Sequence, residues 1–179
     1  MTIPFESSWY AMTSPVSLRK ASLGDASAVT QVLEASYPEL MAAAYGNGEL
    51  AAALPMMTRA QPSLLESGTY YVAEAADGLM VGCGGWTRER PGSGEVQSGL
   101  GHLRHFGVRP EWTRRGIGSL IYRRCVADAK AAGVGRFECF SSLNGEAFYS
   151  ALGFTSIEHI DLAMSEEVIL RSVRMIADI

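Results

Sequence analysis

The stretch His102-Leu103-Arg104-His105-Phe106-Gly107-Val108-Arg109-Pro110-Glu111-Trp112-Thr113-Arg114-Arg115-Gly116-Ile117-Gly118-Ser119 decides how this chain is read. Its first half, His102 to Val108, reads as a strand that Pro110 closes, since a proline has no N–H to give to a ladder. After a short turn, Ile117, Leu120, Ile121, Cys125, Val126 and Ala129 recur at helical spacing and predict an amphipathic helix that ends near Gly133 and Gly135. A strand therefore passes through a turn into a helix that opens on Gly116 and Gly118, with Arg114 and Arg115 just ahead of them. The first N–H groups of a helix lack intrahelical partners and lie at the positive end of its dipole, which suits a phosphate or diphosphate. The two arginines would add charge-assisted hydrogen bonds. Alone, the two glycines serve equally well to pack a helix closely on a neighbour. Two nucleotide loops are excluded by the same residues: a Walker loop needs Lys-Ser/Thr after its last glycine, where Ser119-Leu120 stand, and a dinucleotide fingerprint needs a third glycine, where Ile121 stands.

Working outward, Val16 to Lys20 alternates apolar and polar side chains as a half-buried strand does. Asp25 is the expected cap of a helix carrying Ala28, Val29, Val32 and Leu33. From Tyr37 to Leu65 the sequence predicts Ala-rich helical pieces broken at Gly46-Asn47-Gly48, Pro55 and Pro62, a region suited to covering a substrate. Thr69 to Ala75 and Met80 to Thr87 are β-rich runs around Asp77-Gly78, a hairpin signal. Arg90 to Gly101 reads as a loop, Phe137 to Phe140 as a short strand and Asn144 to Leu152 as a short helix. Gly153-Phe154 leads into a strand through Leu162, and Val168 to Ile176 is a last strand. Strands alternating with helices behind a front hairpin argue for a mixed-sheet α/β or α+β domain.

The chain has 179 residues, 47% apolar and 19% charged, which fits one globular core over residues 16–179 and excludes a largely disordered chain. The segment Met1 to Pro15 is expected to be an irregular arm. A net charge of −4 lacks the basic field that drives non-specific nucleic-acid binding. Cys83, Cys125 and Cys139 form no C-x-x-C pair, so neither a disulfide framework nor a zinc site is indicated, and a reducing compartment fits. No stretch reads as a secretory leader or a membrane span. The expectation is a cytoplasmic protein with no membrane, nucleic-acid or metal partner.

A second stretch, Asn144-Gly145-Glu146-Ala147-Phe148-Tyr149-Ser150-Ala151-Leu152-Gly153-Phe154, fits Asn-x-x-x-Phe-Tyr-x-x-x-Gly-Phe. Together with Thr113-Arg114-Arg115-Gly116-Ile117-Gly118, set against Gln/Arg-x-x-Gly-x-Gly/Ala, it resembles the GCN5-related N-acetyltransferase (GNAT) superfamily, over Val16 to about Leu162. Thr113 departs from the pattern; this bears on a side-chain contact and spares those of the backbone. The resemblance implies a single α/β (α+β) domain, a mixed and mostly antiparallel sheet of about six or seven strands flanked by helices. Two parallel central strands, His102 to Val108 and Phe137 to Ser141, would splay apart. The pantetheine arm of acetyl-CoA would lie in that gap, paired with backbone around Phe106, Gly107 and Val108. Its pyrophosphate would sit on the N–H groups of Arg114, Arg115, Gly116, Ile117, Gly118 and Ser119, and Asn144 is at the family position that contacts the CoA chain.

What the resemblance implies chemically is acetyl transfer to a primary amine of a small molecule or peptide by direct attack. Tyr149 matches the family's general acid, which would protonate the departing CoA thiolate, a role worth about 10² to 10⁴ in rate. His102 lies six residues ahead of Val108, where the family often places a carboxylate or histidine base. Its ordinary pKa of about 6.5 suits that task, and His102, Arg104, Phe106 and Val108 share one face if the strand carries no bulge. His105 is the second candidate, and a water relay could serve either. Cys83 reads as a small packing residue without a partner base, Gly82, Gly84 and Gly85 as sites of close backbone or acceptor approach, and Trp86 and Trp112 as packing residues. The rival reading is a CoA-binding sensor or scaffold without turnover. Glu39, Glu49, Glu66, Glu89 and Glu95 are compatible with a cationic amine without selecting one. As an edge strand, Val168 to Ile176 could pair two copies across a two-fold axis.

Overall fold

The computed structural model describes residues 15–179, so the expected arm lies, up to Ser14, outside the described residues. In chain order the elements are β1 (Ser17–Lys20), α1 (Ala26–Met41), α2 (Asn47–Met57), α3 (Pro62–Leu65), β2 (Tyr70–Glu74), β3 (Met80–Thr87), β4 (Leu100–Val108), α4 (Ile117–Ala131), β5 (Arg136–Ser142), α5 (Glu146–Ala151), β6 (Thr155–Ala163) and β7 (Ile169–Asp178). They form a seven-stranded sheet in the order β1-β2-β3-β4-β5-β7-β6. Every neighbouring pair is antiparallel except β4 and β5. That parallel pair is short. Leu100, Gly101 and His102 align with Arg136, Phe137 and Glu138, and beyond His102 the two strands part.

The parting has a local cause. The register of β3 on β4 shifts between Cys83 and Gly85, so that His105 and Phe106 together oppose Gly84. His105 takes a left-handed φ of 49°, and such a bulge bends and over-twists its strand. Parity along β4 therefore flips. Leu103, Phe106 and Val108 pack against the α4 side, so the one-face expectation for His102, Arg104, Phe106 and Val108 is corrected. Gly84 makes room for the bulge, since a Cβ there would stand 2.7 Å from the Phe106 ring.

Apolar stripes settle which helix covers which face. α4 buries Ile117, Ile121, Cys125 and Ala129 on Val81, Phe137, Val173 and Met175. α1 and α3 bury Val29, Val32, Leu33, Leu64 and Leu65 on Tyr70, Val72 and Cys83 across the opposite face. Each fully buried aliphatic side chain contributes about 1.5–3 kcal/mol. All three cysteines are buried thiols inside these layers.

Four further expectations change. Asp25 precedes α1 without capping it: its carboxylate accepts from the Ser22 N–H at 2.8 Å and from Arg19 at 2.8 and 2.9 Å, and the guanidinium holds its pKa down to about 2. Pro55 breaks nothing, because α2 runs through it, and α1 likewise runs on past Tyr37 and Pro38. Both prolines stand on the exposed side of their helices, where the carbonyl left without its N–H partner can turn to water. β4 starts at Leu100, inside the expected loop. Finally, β7 is no edge strand: it lies between β5 and β6, so the pairing proposed for Val168 to Ile176 is made within the chain.

A Cβ on Gly85 would meet main chain, 2.5 Å from the Thr69 carbonyl oxygen and 2.6 Å from the Tyr70 Cα. Overpacking typically costs about 1–3 kcal/mol. Gly85→Ala is expected at or above the top of that range and Gly84→Ala below it, because the Phe106 ring can shift. Urea denaturation of both variants checks the order; a Gly85→Ala protein as stable as wild type would contradict the β2–β3 spacing described above.

Candidate active site

The segment after β4 is built to expose amides. Arg109 donates to the Val81 carbonyl at 2.9 Å, and Pro110 starts a single tight turn closed by the Thr113 hydroxyl on the Pro110 carbonyl, 2.8 Å away. Thr113, the departure from the family pattern, thus serves the turn itself. Arg114 and Gly116 then take left-handed φ values of 59° and 76°. Among the described residues, the main-chain N–H groups of Arg114 to Ser119 have no backbone partner, and no side chain caps the helix. Alternating handedness turns such groups toward a common centre, an anion-binding concavity at the positive end of α4. Arg114 and Arg115 are exposed there, and Arg115 lies over the Trp112 ring at 4.6 Å. Gly118 has a different reason to be glycine. A Cβ would stand 2.9 Å from the Phe148 ring, so the second sequence motif packs directly on the first.

Beside this cradle the gap between β4 and β5 opens. The Arg109–Val81 bond fixes the alternation along β4, so Gly107 faces β3 while the Val108 N–H and carbonyl point into the gap. The carbonyl of Phe106 accepts from the Tyr37 hydroxyl at 3.0 Å, and that of His105 from the Tyr70 hydroxyl at 2.9 Å. Tyr149, on α5, stands edge-on to Phe106 at 6.3 Å between ring centres, and packs likewise on Phe148 and Phe154. Burial holds its phenol well above the usual pKa, with Tyr37 near enough to add to the effect. The Tyr149 hydroxyl makes no hydrogen bond among the described residues and keeps its proton throughout the neutral range. Asn144 is exposed on the turn Leu143–Gly145, which Tyr45 fixes by accepting from the Leu143 N–H at 2.8 Å.

The two histidines differ. His102 is buried at the last paired rung, its Nδ1 3.4 Å from Oε1 of Glu138, and neither atom has a hydrogen bond. Glu138 is held by Arg174 at 2.6 Å, with Arg90 at 3.4 Å. Burial lowers the His102 pKa, opposed by Glu138 and assisted by Arg90 and Arg104. A small cavity of about 80 Å³ adjoins this group. His105 sits in the bulge with Nε2 3.2 Å from the Gln61 amide nitrogen, and burial drives its pKa down to about 4. Cys83 is no nucleophile: burial pushes its thiol up to about 12. Tyr37, Gln61 and Glu138 were not singled out from sequence, although Tyr37 continues the Val29, Leu33 stripe one helical turn on and so announced a polar tip on a buried face.

Residues 66–156, just over half of the chain, match the family model for the acetyltransferase (GNAT) domain. The chain belongs to the GNAT acetyltransferase family. Solved GNAT structures share the fold over nearly the whole length. A GCN5-related N-acetyltransferase from Rhodopseudomonas palustris is 20% identical, with 94% of this chain and 98% of that one aligned at a TM-score of 0.75. PaiA N-acetyltransferase from Thermoplasma acidophilum, in complex with coenzyme A, is 18% identical over 92% and 99% of the two chains, with a TM-score of 0.68. Rv2747 from Mycobacterium tuberculosis, in complex with CoA and NLQ, is 23% identical over 91% and 99%, with a TM-score of 0.58. At such identities the likeness is one of fold. No curated protein sequence matches the chain. Among the described residues no group of metal-ligating side chains is found, and no helix is long and apolar enough to cross a membrane.

The Gly118–Phe148 contact makes a testable link between the two GNAT motifs. Gly118→Ala is expected to displace Phe148 and, with it, the opening of α4, raising the KM for acetyl-CoA about tenfold. Initial-rate kinetics read this directly, and an unchanged KM would mean that the contact does not shape the cradle.

Proposed function

We propose that this GNAT protein moves an acetyl group from acetyl-CoA to a primary amine of a small molecule or peptide by direct attack. The observation that carries the reading is the convergence of three features: the unpartnered amides of Arg114 to Ser119, the strand edge exposed at Val108, and the unpaired Tyr149 hydroxyl beside Phe106. The cradle suits a diphosphate, and the free edge of β4 suits an amide-bearing chain that completes the missing ladder.

In this reading the amine attacks the thioester carbonyl, the C–N bond forms and the C–S bond breaks. Tyr149 gives its proton to the departing sulfur, for which a phenol that stays protonated at neutral pH is the right acid. The amine must first lose a proton. His102 is the better of the two histidine bases, because Glu138 favours its protonated form while His105, held near 4, takes a proton poorly. The side chain of His102 is 3% exposed, so the proton reaches it through water, for which the adjoining cavity of about 80 Å³ has room.

Tyr149→Phe is expected to lower kcat by about 10² to 10⁴ while acetyl-CoA still raises the thermal midpoint. A screen of amines with detection of released CoA checks it. Coenzyme binding without turnover on any amine would favour the sensor reading instead. With His102 as base, kcat/KM falls as pH drops through its lowered pKa, so the acid limb lies below 6.5, and Glu138→Gln moves it lower still by removing the group that opposes burial. A limb unmoved by Glu138→Gln and kept in His102→Gln would remove His102 from the mechanism.

A further inference from the structure

A cleft of about 810 Å³ lies away from the opening of α4. It follows the end of the sheet where β2 begins and β3 stops, and its walls include Lys20, Ser63, Thr87, Arg88, Glu89 and Arg104. Its size is that of a small-molecule site. Arg104 lines this cleft, its backbone paired to Gly85 of β3. It stands two residues past His102, the last rung paired to β5, and on the face opposite Leu103, away from α4.

The electrostatics of the cleft favour an anion. The half-buried Arg104 guanidinium gives hydrogen bonds to neutral acceptors only, Thr87 Oγ1 at 3.1 Å and Gln61 Oε1 at 3.4 Å. Among the described residues no carboxylate lies within 4.0 Å of it, though Glu89 is near enough to be felt. Burial lowers its pKa, the mark of a charge taken from water without full compensation. Lys20 and Arg88 also lack ion pairs among the described residues, and Asp128 on the far wall is taken by Arg124 at 3.3 Å and by the Tyr71 hydroxyl. A planar donor fork with no carboxylate is one half of a bidentate pair.

The geometry points to a carboxylate on the acyl acceptor, received by Arg104 while the amine faces the gap beside His102. The acceptor class is then an amino acid or another carboxylate-bearing amine. Two residues of strand, roughly 7 Å, separate the Cα atoms of Arg104 and His102. An α-amino acid holds its amine and carboxylate closer than that, and the long Arg104 side chain together with the water relay to His102 takes up the difference. This inference rests on the acetyl-transfer reading, and its test separates the two.

Matched acceptors are compared, phenylalanine with phenethylamine and leucine with isopentylamine. The carboxylate-bearing member is expected to show at least a tenfold higher kcat/KM, a preference that Arg104→Gln lowers at least tenfold and Arg104→Lys restores in part. Calorimetry of N-acetylphenylalanine and N-acetylleucine on the CoA-loaded protein gives a readout independent of turnover, with binding at least tenfold weaker in Arg104→Gln. Equal rates within the pairs, or equal loss on both members in Arg104→Gln, overturn the assignment. Arg104-dependent binding of these carboxylates without acetylation of any amine would uphold the anion site and defeat the transfer reading. Binding that ignores Arg104 would defeat the anion site alone.

Discussion

One extra residue in β4 governs the site. With His105 and Phe106 set against Gly84 alone, the strand swings away from β5 after three paired rungs, and its far edge is left without a neighbour. Buried main-chain groups that lose a ladder must be satisfied in some other way. Two tyrosines do part of this: Tyr70 reaches the carbonyl of His105 and Tyr37 that of Phe106, both as neutral donors that burial keeps protonated. The Val108 amide and carbonyl remain, directed into the gap. The distortion and its two hydroxyl props thus shape a slot with a fixed width and a short row of polar atoms.

The two faces of the sheet divide the chemistry. On the α4 side, Phe106, Val108 and the cradle of amides adjoin Tyr149, and the two sequence motifs touch through Gly118 and the Phe148 ring. On the other side, His102, Glu138, Arg174 and Arg90 make one charged group in which the carboxylate is shared among three cationic or ionisable partners. Because the parity of β4 changes at the bulge, groups only a few residues apart in sequence serve opposite sides of the slot. A donor cosubstrate and an acceptor can approach it from different directions without competing for the same side chains.

Much of this was legible in the residues. The strand–turn–helix around Gly116 and the hairpin at Asp77-Gly78 follow from periodicity and turn chemistry, while the parallel central pair was implied only by the family resemblance of the two motifs. The conformation of His105 did not, since nothing in the run Leu103 to Val108 announces a non-glycine residue at positive φ; only the three glycines of the facing strand hint that something bulky leans on it. Asp25 looked like a helix cap by position, yet a guanidinium distant in sequence claims its carboxylate. The place of β7 was hidden for a similar reason. Strand order is set by which apolar faces meet across the whole sheet, and β7 buries Leu170, Val173 and Met175 in the middle of it.

The buried thiols bear on how the molecule reacts with its surroundings. Cys83 and Cys125 are pushed up to about 12 and Cys139 higher still, so each is almost wholly in the unreactive S–H form at neutral pH and is shielded by packing as well. A thiol-directed dye added to the native protein meets no competing sulfhydryl, and the sulfur it captures during turnover is the product's own. The three cysteines become visible to the same dye when the core opens, so colour that develops without acceptor reports denaturation.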